Sequence, residues 1–301
     1  MKIEKLIRDI CHEEGIHVDT FCDAYCLKLS KNNKTTFIYD SIFENNSSSV
    51  YKLLRDKSAV SEILSQQSVP TVEHYYFYSN TANYNDIWLK LEQLFEQHKK
   101  IVIKHNEGMS GKDVYLIETK SDLERLSSLI FQKYNSLSVC PYYKILHEYR
   151  IIFLNGEVKL IFDKIRPNVI GDGMHNIEEL AEQKKYNYID KNINPKLIPP
   201  KNQNVTLSWR HNLNYGAIPE IIKDKGLISK LSLLAQKAAK ELNVNFASID
   251  IIQTDSNDFR VLEINGSVTL SKFASFSSQN HNIAKSIYKE AILSNLKWKR
   301  G

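Results

Sequence analysis

A chain of 301 residues can bury a large core and has room for two or three subdomains. Its net charge of +5, from 40 basic and 35 acidic side chains, is scattered rather than gathered into a run, which excludes a basic nucleic-acid-binding arm and fits an anionic small ligand about as well as no charged partner at all. No stretch of roughly 18 apolar residues occurs, so no transmembrane helix and no membrane partner are expected.

The first 15 residues carry acidic side chains and no signal-peptide core. Four cysteines (Cys11, Cys22, Cys26, Cys140) are too few for a disulfide scaffold of this size. Cys22 and Cys26 could begin a metal site, but no second pair follows. The expectation is a cytoplasmic protein with reduced thiols.

Residues 1–15 read as a short helix, and YCLKLS (25–30) and TTFIYD (35–40) as strands around the turn KNNK. The polar stretch FENNSSSV marks a first boundary, giving a short N-terminal region over 1–49. Val50, Leu53, Leu54, Lys57, Val60, Ile63 and Leu64 then recur at helical spacing until Pro70. VEHYYFY reads as a strand, and NDIWLKLEQLFEQHKK as an amphipathic helix capped by Asn85 or Asp86. After IVIKHNEGMSGKDVYLIE (101–118) come a helix over SDLERLSSLIFQKY and a strand near 137–140. HEYRIIFLNGEVKLIFDKIRP gives two long strands joined at Asn155-Gly156, the strongest hairpin signal in the chain. A mixed loop-and-helix region covers 168–225. The helix SKLSLLAQKAAKELN leads into the strand–turn–strand NFASIDIIQTDSNDFRVLEIN, and the C-terminal SQNHNIAKSIYKEAILSNLKW is helical. The class is α+β, with hairpins outnumbering βαβ units.

IVIKHNEGMSGKDVYLIE invites comparison with a Walker A loop, which needs GxxxxGK[ST] between a strand and a helix. Gly108 stands at the wrong distance from Gly111-Lys112, Asp113 replaces the hydroxyl residue, and a strand follows. What remains is a strand–glycine loop–strand hairpin with Lys104 at the end of its first strand. Such a hairpin can fold over phosphates, glycines permitting close backbone approach and lysine supplying a point charge. An ordinary surface hairpin with scattered lysines fits equally well on these residues alone.

If TDSND is the turn, its centre is Ser256, and Asp250 falls opposite Glu263, with Cα atoms about 5 Å apart. Alternation then places Ser248, Asp250 and Ile252 on one face, with Val261, Glu263 and Asn265 on the matching face of the partner strand. Two carboxylates directly opposite repel unless something cationic lies between them. Oxygen donors of this kind suit Mg²⁺ or Mn²⁺. The alternative is a pair of unrelated charges at strand ends, which their apolar neighbours make less attractive.

Together these segments resemble the ATP-grasp superfamily over residues 50 to 280. The ordered set is Asp56-Lys57 on a helix, Lys104 with its glycine loop, YY…EYR, GDGMHNIEEL, WRHNLNYGA, SIDII and LEIN. EYRIIFLNGEVKLIFDKIRPNVIGDGMHNIEEL is similar to a segment shared by cyanophycin synthetase, glutathione-forming ligases and the ribosomal-protein glutamate ligase. The resemblance implies an ATP-grasp fold of two α+β subdomains, a lid over 50–140 and a metal- and substrate-binding unit over 141–301. It implies that Lys57 and Lys104 contact the ATP phosphates, that Gly108 to Lys112, with Gly111, form the lid loop, and that Pro141, Tyr142, Tyr143 and Lys144 line the adenine edge. Glu148 would take the ribose hydroxyls, and Lys164 or Arg166 would lie near the γ-phosphate. Arg210 would stabilise the acyl phosphate and tetrahedral intermediate, with Asn212 and Gly216 nearby. Asp250, Glu263 and Asn265 would hold two ions of Mg²⁺ or Mn²⁺.

The implied activity is an ATP-dependent carboxylate–amine ligase acting on amino acids or peptides, and a homodimer is common among similar enzymes. A kinase or carboxylase of the same superfamily and a non-catalytic nucleotide-binding protein are the alternatives. Two departures stand out: Pro141 replaces a glutamate frequent at the linker and removes a backbone donor, and the region before residue 50 is short for the preceding domain. Taken singly, Arg210 beside Trp209 reads as a stacked surface arginine. His105, His147, His175 and His211 lack metal-ligand spacing.

Overall fold

The computed structural model describes residues 3–79, 84–108, 111–186 and 188–297. Helix α1 (Ile3–Glu13) is followed by β1 (His17–Phe21), β2 (Cys26–Lys31), β3 (Lys34–Tyr39) and β4 (Ile42–Phe43), which form one antiparallel sheet in that order. The expected hairpin turns at Asn32 and Asn33, whose φ values of 51° and 62° suit a tight hairpin turn. Strand β1 was not legible in the sequence, because its HVDTF has no buried residue to mark a face.

The apolar run from Val50 to Leu64 forms two helices, not one: α2 (Ser48–Arg55) and α3 (Lys57–Gln66). Asp56 divides them. Its extended backbone ends α2, and its carboxylate accepts a hydrogen bond from Ala59 N at 2.9 Å to cap α3.

A second four-stranded sheet, where the lid is expected, is built from β5 (Tyr75–Tyr78), β6 (Ile101–His105), β7 (Val114–Ile117) and β8 (Ser136–Pro141), in the antiparallel order β5-β8-β6-β7. Helices α4 (Tyr84–His98) and α5 (Lys120–Lys133) cover one face, burying Leu91, Phe95, Ile101, Ile103, Leu123 and Val139 in a separate core. Asn85 and Asp86 lie inside the first turn of α4 rather than capping it, where Asp86 complements the helix dipole. By alternation the other face carries Val102, Lys104, Ser138 and Cys140.

The remaining chain winds around a five-stranded antiparallel sheet. Strands β9 (Ile145–Leu154) and β10 (Glu157–Ile165) turn at Asn155-Gly156, both at positive φ. Next come β11 (Asn168–Ile170), α6 (Ile177–Gln183), β12 (Asn204–Thr206), a 3₁₀ turn at Leu213–Tyr215, β13 (Ile218–Ile221) and α7 (Lys225–Glu241). Strands β14 (Phe246–Thr254) and β15 (Phe259–Asn265), α8 (Ser271–Ala274) and α9 (Ser278–Lys297) complete the chain. The central order is β13-β10-β9-β14-β15, and β11 pairs with β12 alone. In the GDGMHNIEEL segment Gly171 passes so close to the chain at 199–200 that an added Cβ would meet Pro200 O at 2.2 Å, so glycine is required there. Asn176 and Glu179 form a reciprocal capping box on α6.

One face of the central sheet packs Ile151, Phe153, Ile249 and Ile251 against α7 and against Val50, Leu54, Val60 and Leu64 of α2–α3. Residues 50–66 are therefore packed with the central sheet, and the lid's own core starts near Tyr75, later than the boundary at 50 drawn from the sequence. The opposite face buries Ile152, Leu154, Leu160 and Phe162 against α1, the N-terminal sheet and α9. Farther along these strands, alternation puts Glu148, Arg150, Lys164, Ser248 and Asp250 on the same side.

Candidate active site

The pairing of β14 with β15 places Asp250 opposite Glu263 and Ser248 opposite Asn265, the register expected from the turn. One detail differs. A bulge after Asp250 pairs Ile251 with Val261, and Val261 is buried with Ile249 and Ile251 on the α7 side instead of sharing the face of Glu263.

Asp250 is not an isolated carboxylate. Arg150 lies opposite it on β9 and donates from Nε to Oδ1 at 2.9 Å and from Nη2 to Oδ2 at 2.7 Å. Lys164 Nζ, from β10, donates to Oδ2 at 3.0 Å and also to Glu148 Oε1. Burial alone would raise the Asp250 pKa, but the Arg150 and Lys164 charges outweigh it and hold the carboxyl well below the usual range. Glu148 goes the other way: burial dominates over Lys164 and lifts it to about 7. Glu263 Oε1 accepts a hydrogen bond from Asn265 Nδ2 at 3.0 Å. Arg150, which no sequence expectation assigned a role, is thus central to the site.

Lys57 and Lys104 are set from two elements. Lys57, the first residue of α3, donates to the carbonyls of Gly108 (2.5 Å) and Asn106 (3.2 Å) at the root of the lid loop. Burial lowers its pKa to about 8, and nearby Lys104 adds to the effect while Glu263 opposes it. Asn106 was also missed in the sequence. Its Nδ2 donates to Asp56 Oδ1 at 2.8 Å, and its Oδ1 accepts from Ser58 Oγ at 2.9 Å, tying the lid to the α2–α3 junction. Lys104 is buried on β6 opposite Ser138. Ser138 Oγ and His74 Nδ1 lie 3.0 Å apart. Burial, then Lys104 and Lys57, hold His74 far below the ordinary histidine range.

Of the lid loop, Met109 and Ser110 lie outside the described residues. Gly111 has φ 72°, and a Cβ there would meet Asn212 Nδ2 at 3.2 Å, so the loop touches the 209–216 segment. Lys112 is exposed. At the expected adenine edge, Val72, Cys140 and Ile252 pack with Val102, Tyr143, Ile145 and Leu262, forming an apolar seam between the lid and central sheets. Tyr143 belongs to this seam, whereas Tyr142 is exposed and its amide is spent on Lys100 O. Pro141 ends β8 opposite Ile101.

Arg210 lies over the rings of Tyr215 (4.7 Å) and Trp209 (5.4 Å), and its Nη2 donates to Val114 O of the lid at 3.2 Å. Its Nε is buried without a hydrogen-bond partner. Asn212 Oδ1 caps the 3₁₀ turn, and Gly216 closes it at φ 89°. Arg166 is half-buried just past β10. His211 Nδ1 lies 2.9 Å from Lys164 O, and burial lowers its pKa to about 4, so the neutral ring donates to that carbonyl. The other histidines serve elsewhere: His105 stacks on Tyr134, His147 contacts Asp163 and His175 contacts Asp172. A large open cavity of about 720 Å³ lies between α3, α7 and the β14–β15 turn, and none of the expected site residues lines it.

Asp250, Glu263 and Asn265 are all oxygen donors, and Asp250 Oδ1 and Glu263 Oε2 retain acceptor capacity, so their chemistry fits a hard divalent ion. Among the described residues no group of three or more His, Cys, Asp or Glu side chains is arranged to hold a metal. The third ligand of this set is an amide, and Asp250 is turned onto two cations.

Residues 201–290 match the profile of the RimK-like ATP-grasp domain. Over 215 residues the chain is 24% identical to the glutathione biosynthesis bifunctional protein GshAB of Listeria monocytogenes, covering 68% of this chain and 27% of that protein. The match to GshAB of Listeria welshimeri is 23% over 174 residues, 56% and 22% of the two chains. The structure resembles a bifunctional glutathione synthetase from Pasteurella multocida, with TM-score 0.59, 17% identity and coverage of 95% and 44%. It also resembles the D-alanine–D-alanine ligase of Bacillus anthracis, with TM-score 0.55, 16% identity and coverage of 81% and 67%. The chain spans about a quarter of the length of the curated relatives it matches. The fold is the ATP-grasp fold.

Proposed function

We propose that the chain is an ATP-dependent carboxylate–amine ligase that joins amino acids or extends a peptide. The observation that carries this reading is the buried charge network of Arg150, Lys164, Asp250 and Glu148, on the sheet face that also holds Glu263 and Asn265. Phosphoryl transfer needs positioning and charge neutralisation more than covalent chemistry, and this site supplies both.

Lys57 and Lys104 bind the phosphates, the seam around Tyr143, Cys140 and Leu262 opens for adenine, and Glu148 accepts from the ribose hydroxyls. Lys164, with Arg166 beside it, faces the γ-phosphate. Gly108, Gly111 and Lys112 belong to the closing loop, with Lys112 and Tyr142 in supporting positions at its margins. Asp250, Glu263 and Asn265 would hold Mg²⁺ or Mn²⁺, two ions when full, and these would supply positive charge to neutralise the phosphates. The γ-phosphoryl group passes to a substrate carboxylate oxygen, giving ADP and an acyl phosphate. An amine then attacks the carbonyl carbon, Arg210 and Asn212 steady the developing oxyanion, and phosphate leaves as the amine loses its proton.

The solved neighbours favour small amino-acid or peptide substrates. They include D-alanine–D-alanine ligase and the ATP-grasp ligase PsnB in complex with a precursor peptide, the latter at TM-score 0.53 and 12% identity. A phosphate-release screen with ATP, Mg²⁺ and pairs of amino acids, read out by mass spectrometry, tests the reading. Silence across amino acids and peptides, despite measured ATP binding, would overturn it.

The depressed Lys57 pKa gives a pH signature. Raising the pH through about 8 strips the ammonium proton, so kcat/KM for ATP should fall in that range. Lys57→Arg stays charged and should flatten this limb. A wild-type profile that is level from neutral pH to well above 8 would remove Lys57 from the phosphate site.

A further inference from the structure

A guanidinium fork takes up most of the acceptor capacity of the carboxylate on which the ion site depends. A carboxylate offers about four lone-pair positions. On Asp250, Arg150 occupies one on each oxygen, and Lys164 takes a second on Oδ2. One position is left, on Oδ1.

The charges tell the same story. Arg150 and Lys164 are matched by Asp250 and Glu148 in a buried quartet, and Glu263 faces the Lys57 ammonium electrostatically. Before nucleotide arrives, the site holds no surplus negative charge to draw in a divalent cation, and Arg150 repels one at close range. ATP brings the missing charge with its phosphates.

We infer that Arg150 is a positioning residue that makes ion binding conditional on nucleotide: its bidentate grip on Asp250 keeps the free site closed to divalent ions and leaves one oxygen lone pair for the ion that enters with ATP. The inference rests on the nucleotide-binding reading above. It assigns Arg150 a function in metal order rather than in stability alone, since a bidentate fork fixes carboxylate orientation as well as charge.

The test is direct Mn²⁺ binding by electron paramagnetic resonance on the intact chain, without turnover. Nucleotide-free wild type should bind Mn²⁺ weakly, and Arg150→Met should tighten that binding by at least about tenfold. Arg150→Gln, which is neutral but can still donate to Asp250, keeps the test alive if the Met variant does not fold, and it should tighten binding in the same direction. Arg150→Lys, which restores the charge but not the fork, should weaken Mn²⁺ binding again relative to the neutral variants and bring it only part of the way back to the wild-type level. Wild type that binds Mn²⁺ equally well with and without a non-hydrolysable ATP analogue would overturn the inference. So would neutral variants whose nucleotide-free Mn²⁺ affinity is unchanged. If the analogue fails to bind the metal-loaded or the metal-free protein, the nucleotide reading itself falls, which is a separate result.

Discussion

Glu263→Gln is expected to abolish Mg²⁺-dependent ADP formation, a loss on the order of 10³-fold or more. The exchange is nearly isosteric, and a Gln carbonyl can still accept the hydrogen bond that Asn265 Nδ2 gives to Oε1. What disappears is one negative charge near the Lys57 ammonium and the anionic oxygen that a hard cation prefers. Glu263 also supports the protonated form of Lys57, so the high-pH limb of any residual activity should move to lower pH. Thermal unfolding close to wild type, beside lost ADP formation, would assign the effect to the site. An unaffected rate would remove Glu263 from the metal set.

Arg210→Ala should separate binding from chemistry. Product formation should drop by roughly 10²–10³-fold, as expected for loss of a donor aimed at developing negative charge, while ATP affinity changes little. The geometry supports this split. The guanidinium lies among Trp209, Tyr215 and the Val114 carbonyl, and its buried Nε has no partner to satisfy it. Arg210→Lys keeps a charge but loses the planar fork and should recover only part of the rate. Equal losses in ATP affinity and product formation would place Arg210 in lid closure rather than in chemistry.

The parts of this fold that were legible in the sequence were those governed by local periodicity and turns. The Asp250–Glu263 pairing followed from the position of a single turn, and Asn155-Gly156 announced its hairpin. The bulge that turned Val261 to the other face left no mark, because every residue around it is compatible with a strand. Asp56 split one predicted helix into two while the apolar spacing ran on undisturbed, so only cap geometry reveals the break. Arg150 escaped for a different reason. Its partner lies 100 residues away on a neighbouring strand, and the β9–β14 register that joins them is a tertiary fact. The packing of α2–α3 on the central sheet was hidden in the same way.

The contact between the lid and the 209–216 segment bears on timing. Gly111 approaches Asn212, and Arg210 holds the Val114 carbonyl, so on the proposed ligase reading the loop over the phosphates and the groups set aside for the acceptor share one latch. On that reading nucleotide and acceptor would not come and go independently. An acyl phosphate formed there would be shielded from water for as long as the latch holds, and opening of the latch, rather than bond formation, would become the natural pacemaker of turnover.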